Sequence, residues 1–356
     1  MGLRMIRVLV VEDSPVIRDF LRHILSADPD IHVIGTAADG EAALDAVQYQ
    51  RPDVVTMDIY MPRMNGLEAT RRIMETHPTP IVIVSSSVAA DEVTTSFRAI
   101  EAGALAAVPR PQGLGHPEYQ ATAQELVQTV KLMSEVKVVR RWPRPRSGSR
   151  DPAARRADRL RPSAAIKVVA IGASTGGPPV LQALLSGLPK DLPVPLLIVQ
   201  HMASGFVQGF AEWLTQSTGF PVHVAAADEY PLPGHAYVAP DGVHMRVSTH
   251  RRIVLSRDVP KNGLCPSISH LFQSVAHVFR RDAAGVLLTG MGKDGAQELR
   301  LLRDAGAVTI VQDQDSAVVY GMPGEAIRLD AAMYVLPPER IAARLAWLAD
   351  KKGTAP

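Results

Sequence analysis

The chain has 356 residues, more than one compact core usually needs, so we expect two domains. Its 38 Lys and Arg residues nearly balance 36 Asp and Glu residues, which argues against a polyanion-binding protein as a whole. The single cysteine, Cys265, excludes an intramolecular disulfide and a zinc cluster built on thiolates. The start lacks a signal-peptide pattern, and no apolar run approaches the ~20 residues of a membrane span, so we expect a cytoplasmic protein without membrane insertion.

The N-terminal part alternates strand and helix patterns, and we place a domain at residues 4–135. Its β-branched runs end in polar residues, and apolar residues recur at helical spacing between them. The predicted strands are 7–11, 31–36, 54–57, 81–84 and 104–108, and the predicted helices are 15–27, 40–50, 66–77, 93–101 and 118–136. Five strand–helix units favour an α/β fold in which a parallel sheet is covered by helices on both faces.

The composition then changes abruptly. Residues 140–162 are crowded with Arg, Pro and Ser and have almost no apolar content, so this stretch cannot bury a core. We assign residues 136–165 to a linker and interpret it as a solvated tether. Its arginines are also of the kind that contact nucleic acid or acidic lipid, although no nucleic-acid partner is expected for the protein.

A second α/β region follows at 166–348. The predicted strands are 168–171, 196–200, 222–226, 236–239, 252–255, 285–289 and 308–311, and helices fill most of the gaps. The pieces between 236 and 255 are short and closely spaced, which predicts a hairpin. The rest predicts a doubly wound, mostly parallel sheet with helices on both faces.

Carboxylates close two strands of the N-terminal sheet. Glu12 and Asp13 end the first strand and Asp58 ends the third, and ligand sites form beyond the carboxyl ends of such strands. One such carboxylate alone would simply be solvated or cap a helix, but three together repel unless a cation such as Mg²⁺ joins them. Asp58 is then a candidate nucleophile for a phosphoryl group. Ser85 and Arg110, which follow the fourth and fifth strands, are placed to contact the phosphoryl oxygens.

A serine occupies a glycine-lined turn between the first strand and first helix of the second region. Ser174 lies within 172–178, and its small neighbours let the backbone bend sharply and expose the hydroxyl, as in a nucleophile turn. The helix start, with Thr175 beside it, offers N–H groups to a developing oxyanion. A phosphate-cradling loop is the alternative, although the G-x-G-x-x-G spacing and a P-loop lysine are both missing.

Two other strand ends supply partners for this serine. His201 directly follows the strand 196–200, whereas the other ten histidines lie in the first domain, the hairpin region or a helical stretch. Asp294 follows the strand 285–289 in a glycine-rich segment and is suited to orient an imidazole. The Met291 amide in that segment is the candidate oxyanion donor. Alone, each of these residues would usually be structural; their shared position at strand ends favours a Ser-His-Asp triad.

Motifs of the first domain resemble the response-regulator receiver family. They are VVEDSP (10–15), MDIYMP (57–62), MNG (64–66) and VSS (84–86), and the resemblance covers roughly residues 4–130. It implies a flavodoxin-like receiver domain phosphorylated on Asp58 by a histidine kinase, with Mg²⁺ held by Glu12, Asp13, Asp58 and the Tyr60 carbonyl. Three residues depart from the family pattern: Arg110 replaces a lysine, Ala107 replaces a frequent aromatic, and Asn65 replaces a frequent aspartate.

Motifs of the second domain resemble the chemotaxis protein-glutamate methylesterase domain. They are IGASTGGP (171–178), VQHM (199–202), YVAP (237–240), LTGMG (288–292), QD (312–313) and GMP (321–323). The resemblance implies a Ser174-His201-Asp294 triad that needs no cofactor. The implied substrates are glutamate γ-methyl esters on chemoreceptor helices, and selected receptor glutamines for deamidation. It further implies that the unphosphorylated receiver blocks the esterase. Gly324 stands where the family often has arginine.

Two other functions remain as alternatives. A DNA-binding response regulator would need a small helical reader domain, whereas the second region predicts a large α/β domain. A non-catalytic scaffold would retain the fold without activity. Labelling by a serine-directed fluorophosphonate, lost on Ser174→Ala, separates an enzyme from a scaffold.

Overall fold

The computed structural model describes residues 5–85, 90–136, 138, 165–258 and 263–350. The chain divides into two compact units, Met1–Arg144 and Pro145–Pro356. Apart from residues 136, 138 and 165, the linker predicted at 136–165 lies outside the described residues, and so does Ser86 of the VSS motif. None of the described helices is long and apolar enough to cross a bilayer.

The N-terminal unit contains a five-stranded parallel sheet in the order β2-β1-β3-β4-β5. This order is that of flavodoxin-like folds, so the fold prediction is confirmed. Helices α1 and α5 pack together, as do α2 with α3 and α3 with α4. The strands are Ile6–Val11, Ile31–Ala37, Val54–Met57, Ile81–Ser85 and Ala106–Pro109, and helices α1 to α5 are Pro15–Ser26, Gly40–Gln50, Gly66–Thr76, Ala90–Glu101 and Tyr119–Ser134.

Side-chain caps begin two of these helices. Asp39 accepts hydrogen bonds from the amides of Glu41 and Ala42 at the start of α2. Asn65 accepts from the Glu68 amide at 2.9 Å at the start of α3. Because Asn caps a helix about as well as Asp, the departure at position 65 preserves this local function.

The C-terminal unit contains a seven-stranded parallel sheet in the order β14-β13-β12-β6-β7-β9-β8, and β10 and β11 form a separate antiparallel pair. The sheet strands β6 to β9 are Val168–Ala173, Leu196–Gln200, Val222–Val224 and Ala236–Val238. The pair β10 and β11 is His244–Val247 and Ile253–Ser256, and β12 to β14 are Ala283–Leu287, Val308–Gln312 and Tyr334–Leu336. The predicted doubly wound, mostly parallel sheet is confirmed.

Helices cover this sheet in two groups. Helices α6, α7 and α11 form one group, and α8, α9 and α10 form the other. Most apolar side chains of α8 and α9 pack with the sheet residues Val168, Leu197 and Leu287 in a buried cluster. The helices α6 to α11 are Gly177–Gly187, Val207–Thr218, Ile268–Val278, Ala296–Asp304, Gly321–Arg328 and Pro338–Ala349, with a 3₁₀ turn at Arg280–Asp282.

Three details differ from the sequence prediction, and one of them is that β10 was not predicted as a strand. The hairpin is formed by β10 and β11, whereas the segment at 236–238, predicted to be part of the hairpin, is a buried strand of the main sheet. Strand β14 was not predicted, since it has three residues and lies at the sheet edge with Val335 exposed. Strands this short carry too few residues for a periodic pattern to appear.

Candidate functional site

Ser174 and His201 follow neighbouring strands of the C-terminal sheet. Ser174 comes directly after β6 and His201 directly after β7, and the preceding residues, Ala173 and Gln200, are partners in the parallel ladder. The His201 amide donates to the Ala173 carbonyl across 3.0 Å, so the ladder extends to this point. Since adjacent strands lie about 4.8 Å apart, the two side chains leave the sheet edge as neighbours.

Asp294 reaches the same edge from the turn between β12 and α9. Its Oδ2 lies 3.0 Å from Nε2 of His201, and both side chains are largely enclosed. Gly295 follows at φ 79°, in the left-handed region, and allows the chain to turn from Asp294 into the helix. The structure therefore brings the three residues singled out from the sequence to one edge of the sheet.

The Asp294 carboxylate is surrounded by hydrogen-bond donors from the start of α8. Oδ2 accepts from the Ile268 amide at 2.7 Å, and Oδ1 accepts from the hydroxyls of Ser267 at 2.8 Å and Ser269 at 2.7 Å. Burial alone would raise the pKa of Asp294, but the hydrogen bonds from His201 and the two serines outweigh it and hold that pKa well below its usual range. The carboxylate therefore stays ionised beside the imidazole.

Sequence reasoning missed Ser267 and Ser269. The signal was present in part, because Ser267 directly precedes an apolar helical pattern and occupies the N-cap position of α8. A cap residue usually bonds its own helix. Here its hydroxyl points to Asp294, 27 residues away in the chain, and no local pattern predicts such a contact.

The segment after β12 passes close to the serine. The Ser174 amide donates to the Thr289 carbonyl at 3.0 Å, and a Cβ at Gly290 would lie 2.6 Å from the Ser174 Cβ. Only glycine permits this approach. Within the described residues, neither the Thr175 amide nor the Met291 amide donates a hydrogen bond, so both remain available to a ligand.

Four other histidines of this unit form two pairs. Nε2 of His223 lies 2.8 Å from Nδ1 of His235, and the rings of His244 and His270 stack with centroids 3.9 Å apart. Burial, aided by the Arg246 charge, lowers the pKa of His244, whose Nδ1 accepts from the backbone amide that follows Pro266. Among the described histidines, His201 is the one hydrogen-bonded to Asp294.

Glu12, Asp13 and Asp58 meet at the carboxyl ends of β1 and β3 in the N-terminal unit. One carboxylate oxygen of each lies within 4.8 Å of the others. Burial, and next the Asp58 charge, raises the pKa of Glu12 to about 7. Burial also raises the pKa of Asp58, against the Ile59 amide and the nearby arginine charge. This concentration of hard oxygen donors fits a small divalent cation such as Mg²⁺.

Arg110 borders this acidic cluster, and Ser85 is bonded to the Arg110 backbone. Arg110 Nη2 lies 3.3 Å from Glu12 Oε2, and its buried Nε has no hydrogen-bond partner among the described residues. Ser85 ends β4 and is buried, and its carbonyl accepts from the Arg110 amide at 2.7 Å. Tyr60, after Asp58, is exposed. Arg110, one of the two predicted phosphoryl contacts, therefore adjoins a carboxylate of this cluster. Ala107 leaves β5 without an aromatic side chain at that position.

These observations define the class of protein. A flavodoxin-like unit with an acidic cluster at its strand ends is joined in one chain to an α/β unit with a serine, a histidine and an aspartate at its sheet edge. The first arrangement is typical of phosphoacceptor domains, and the second is typical of hydrolases.

Comparisons with known proteins agree with this class. The family model described as CheB methylesterase matches residues 169–345, and the model described as response regulator receiver domain matches residues 8–116. A protein-glutamate methylesterase/protein-glutamine glutaminase from Nitrosospira multiformis is 59% identical over 349 residues, covering 98% of each chain. A protein with the same name from Geobacter metallireducens is 58% identical over 349 residues, covering 98% of this chain and 100% of its own.

A crystal structure of the Thermotoga maritima CheB methylesterase catalytic domain is 33% identical, with a TM-score of 0.49, and covers 51% of this chain and 97% of that one. From the whole-length relatives and the two family models, the chain belongs to the protein-glutamate methylesterase/protein-glutamine glutaminase family, whose members are hydrolases with a response-regulator receiver domain.

Proposed function

We propose that the C-terminal unit hydrolyses glutamate γ-methyl esters on chemoreceptors, with Ser174, His201 and Asp294 as its catalytic triad. The observation that carries this proposal is the 3.0 Å contact between His201 Nε2 and the buried Asp294, at the strand end beside Ser174. Family membership supports the substrate class, since the relatives are named as protein-glutamate methylesterases.

The proposed reaction is acyl transfer to a serine. Because Nε2 of His201 is engaged by Asp294, Nδ1 is the ring nitrogen left to take the Ser174 proton. The serine oxygen attacks the ester carbonyl, and methanol leaves with the proton carried by His201. Water then attacks the acyl-enzyme by the same path and releases glutamate. The ionised Asp294 stabilises the imidazolium that forms in each half-reaction.

The tetrahedral oxyanion needs donors that are free before substrate binds. The Thr175 and Met291 amides are our candidates, because they donate no hydrogen bond within the described residues and flank the serine. Each donor of this kind lowers the barrier by roughly 3–4 kcal/mol. Deamidation of receptor glutamines would follow the same steps with ammonia as the leaving group, in agreement with the second half of the relatives' name.

The N-terminal unit is proposed to control this reaction. Asp58 would accept a phosphoryl group from a histidine kinase, with Ser85 and Arg110 contacting the phosphoryl oxygens. Glu12, Asp13 and Asp58 would hold Mg²⁺, and their clustered oxygens, with the raised pKa of Glu12, fit such an ion. When bound, the ion supplies positive charge for the phosphoryl oxygens. The esterase chemistry is proposed to need no cofactor.

The remaining assignments rest on the family. We propose a receiver domain at residues 4–135, a basic linker at 136–165 and a catalytic domain at 166–348. The partners are the cytoplasmic helices of methyl-accepting chemoreceptors and a chemotaxis-type histidine kinase, so the protein would act in the cytoplasm in chemosensory adaptation. Phosphorylation of Asp58 would relieve inhibition of the esterase.

Methanol release from methylated receptor fragments, measured with and without a small phosphodonor and Mg²⁺, tests both proposals. Release should be lost in Ser174→Ala and retained in Ser217→Ala, which alters an exposed serine at the end of α7. Stimulation by the phosphodonor should be lost in Asp58→Asn and retained in Asp45→Asn, an exposed position on α2.

The outcomes separate the two units. Release that needs Ser174 but ignores the phosphodonor would retain the esterase and reject the control by Asp58. A folded wild-type protein that releases no methanol from several receptor fragments would reject the esterase and favour a scaffold.

A further inference from the structure

Gln200 links the backbone of Ser174 to that of His201. It is the last residue of β7 and is 4% exposed. Its Nε2 donates to the Ser174 carbonyl at 2.9 Å and to the His201 carbonyl at 2.8 Å. A side-chain amide nitrogen carries two hydrogens, so these two bonds use both of them.

The chemistry of the partners determines how this amide is oriented. Both contacts are carbonyl oxygens, which only accept, so the NH₂ group must face them and the Gln200 oxygen must point away. There, Oε1 is buried and has no hydrogen-bond partner within the described part of the chain. A buried acceptor without a partner lowers folding stability, so stability alone does not account for a glutamine at this position.

The link lies where the strand ladder ends. The last ladder bond joins the His201 amide to the Ala173 carbonyl. Beyond it the two chains diverge, because Ser174 enters the turn that leads to α6 and His201 enters the loop before α7. Beyond the last backbone bond between β6 and β7, the Gln200 side-chain amide supplies two further hydrogen bonds. It thereby connects the two divergent segments.

The start of α6 packs directly on this amide. A Cβ at Gly177 would lie 2.0 Å from Gln200 Oε1, so no larger residue fits there. The Gly177 amide donates to the Ser174 carbonyl at 2.8 Å, the same oxygen that accepts from Gln200. The serine turn, the helix start and the histidine loop therefore all contact one buried side chain.

We propose that Gln200 is a positioning residue that holds the Ser174 hydroxyl in line with the His201 imidazole. The inference rests on the proposed triad and adds to it a residue that touches neither substrate nor the reacting atoms. Since Gln200 is buried beneath the sheet edge, its removal should impair acyl transfer and leave receptor binding intact. The expected signature is a lower kcat at constant KM.

Gln200→Met is the main test, because methionine has nearly the same length and no donor. The rate of Ser174 labelling by a small fluorophosphonate and the kcat for methanol release should both fall by about 10²-fold, the loss typical of a misplacement near 1 Å. KM for receptor fragments should stay within about twofold. The labelling needs no receptor docking, so it reports on the serine alone.

Gln312→Met is the matched control. Gln312 is equally buried, ends β13, and bonds the Thr289 amide at 2.8 Å through Oε1. Its removal tests what the loss of a buried strand-end glutamine does to folding. The two variants should lose similar thermal stability, while kcat should fall much less for Gln312→Met.

Gln200→Glu adds a pH readout that a purely structural residue would not show. The ionised carboxylate repels both carbonyls, whereas the protonated form regains one O–H donor. The labelling rate relative to wild type should therefore rise as pH falls. This variant also serves if Gln200→Met fails to fold.

The results distinguish failure of the inference from failure of the triad. A wild-type protein that is not labelled at Ser174 would overturn both. Labelling of the wild type, with folded Gln200 variants that react within threefold of it or lose only receptor affinity, would overturn the positioning role and leave the triad in place.

Discussion

Asp294→Asn should abolish most of the activity while it preserves most of the local hydrogen bonds. If the asparagine oxygen replaces Oδ2, it still accepts from the Ile268 amide and from His201. Its NH₂ then faces the hydroxyls of Ser267 and Ser269, which can rotate to accept, and only the long 3.3 Å bond from the Ser269 amide is lost. The opposite orientation would set the NH₂ against the Ile268 amide and is disfavoured. The principal loss is therefore the negative charge.

The contact distance gives the magnitude of this loss. Two unit charges 3.0 Å apart, the Nε2–Oδ2 distance, attract by roughly 5.5 kcal/mol at an effective dielectric constant of about 20. The charge centres lie farther apart and the asparagine dipole retains some attraction, so we expect a loss of about 4 kcal/mol. That corresponds to a decrease in kcat of about 10³-fold.

The assay is methanol release from methylated receptor fragments, with circular dichroism and thermal melting to verify folding. Asp304→Asn is the control, since it removes an aspartate of the same unit that forms an exposed pair with Arg300. A folded Asp294→Asn variant with kcat within tenfold of wild type would refute the assigned role of Asp294.

Three other perturbations test the two sites. The pKa of Asp294 in the folded state lies below its unfolded value of about 3.9, so the stabilisation it contributes is present above that pH and is lost as the pH falls below it. The free energy of unfolding in urea should therefore differ less between about pH 7 and about pH 3.5 for Asp294→Asn than for wild type. An equal difference in the two proteins would contradict this reasoning. Gly290→Ala places a Cβ 2.6 Å from the Cβ of Ser174, so kcat should fall by about 10²-fold. In the control, Gly113→Ala, the added Cβ has no atom within 4 Å, and kcat should stay unchanged. Arg110→Ala removes a charge-assisted contact with Glu12 and should lower the phosphorylated fraction of the protein by about tenfold. Arg110→Lys should retain most of the phosphorylation. A radiolabelled phosphodonor measures the phosphorylated fraction of both variants, and Arg72→Ala, at an exposed position, is the control.

The convergence of the residues at the strand ends could be predicted from a simple geometric rule. In a parallel sheet the carboxyl ends of all strands meet at one edge, so residues that directly follow predicted strands are expected to converge. Glu12, Asp58, Ser174 and His201 each follow or close such a strand, and their convergence could be expected without coordinates. The long buried strands were predicted for the same reason, since continuous apolar runs mark parallel sheets.

Two short strands, β10 and β14, were not predicted. The strand β9 was predicted at 236–239 but was placed in the hairpin, whereas its buried side chains belong to the main sheet. The sheet to which a short strand belongs depends on pairing with segments that are distant in the chain. Local residue propensities contain no information about this pairing.

The two α/β units, the strand-end residues and the motifs that carry the family resemblance could be identified from the order of amino acids alone. The groups that surround these residues depend on packing in three dimensions. Ser267 and Ser269 bond Asp294 because helix α8 begins beside it, and Gln200 links two carbonyls because β6 and β7 are paired. Hydrogen bonds between distant segments depend on how helices and strands pack in three dimensions, and a one-dimensional pattern does not contain that packing.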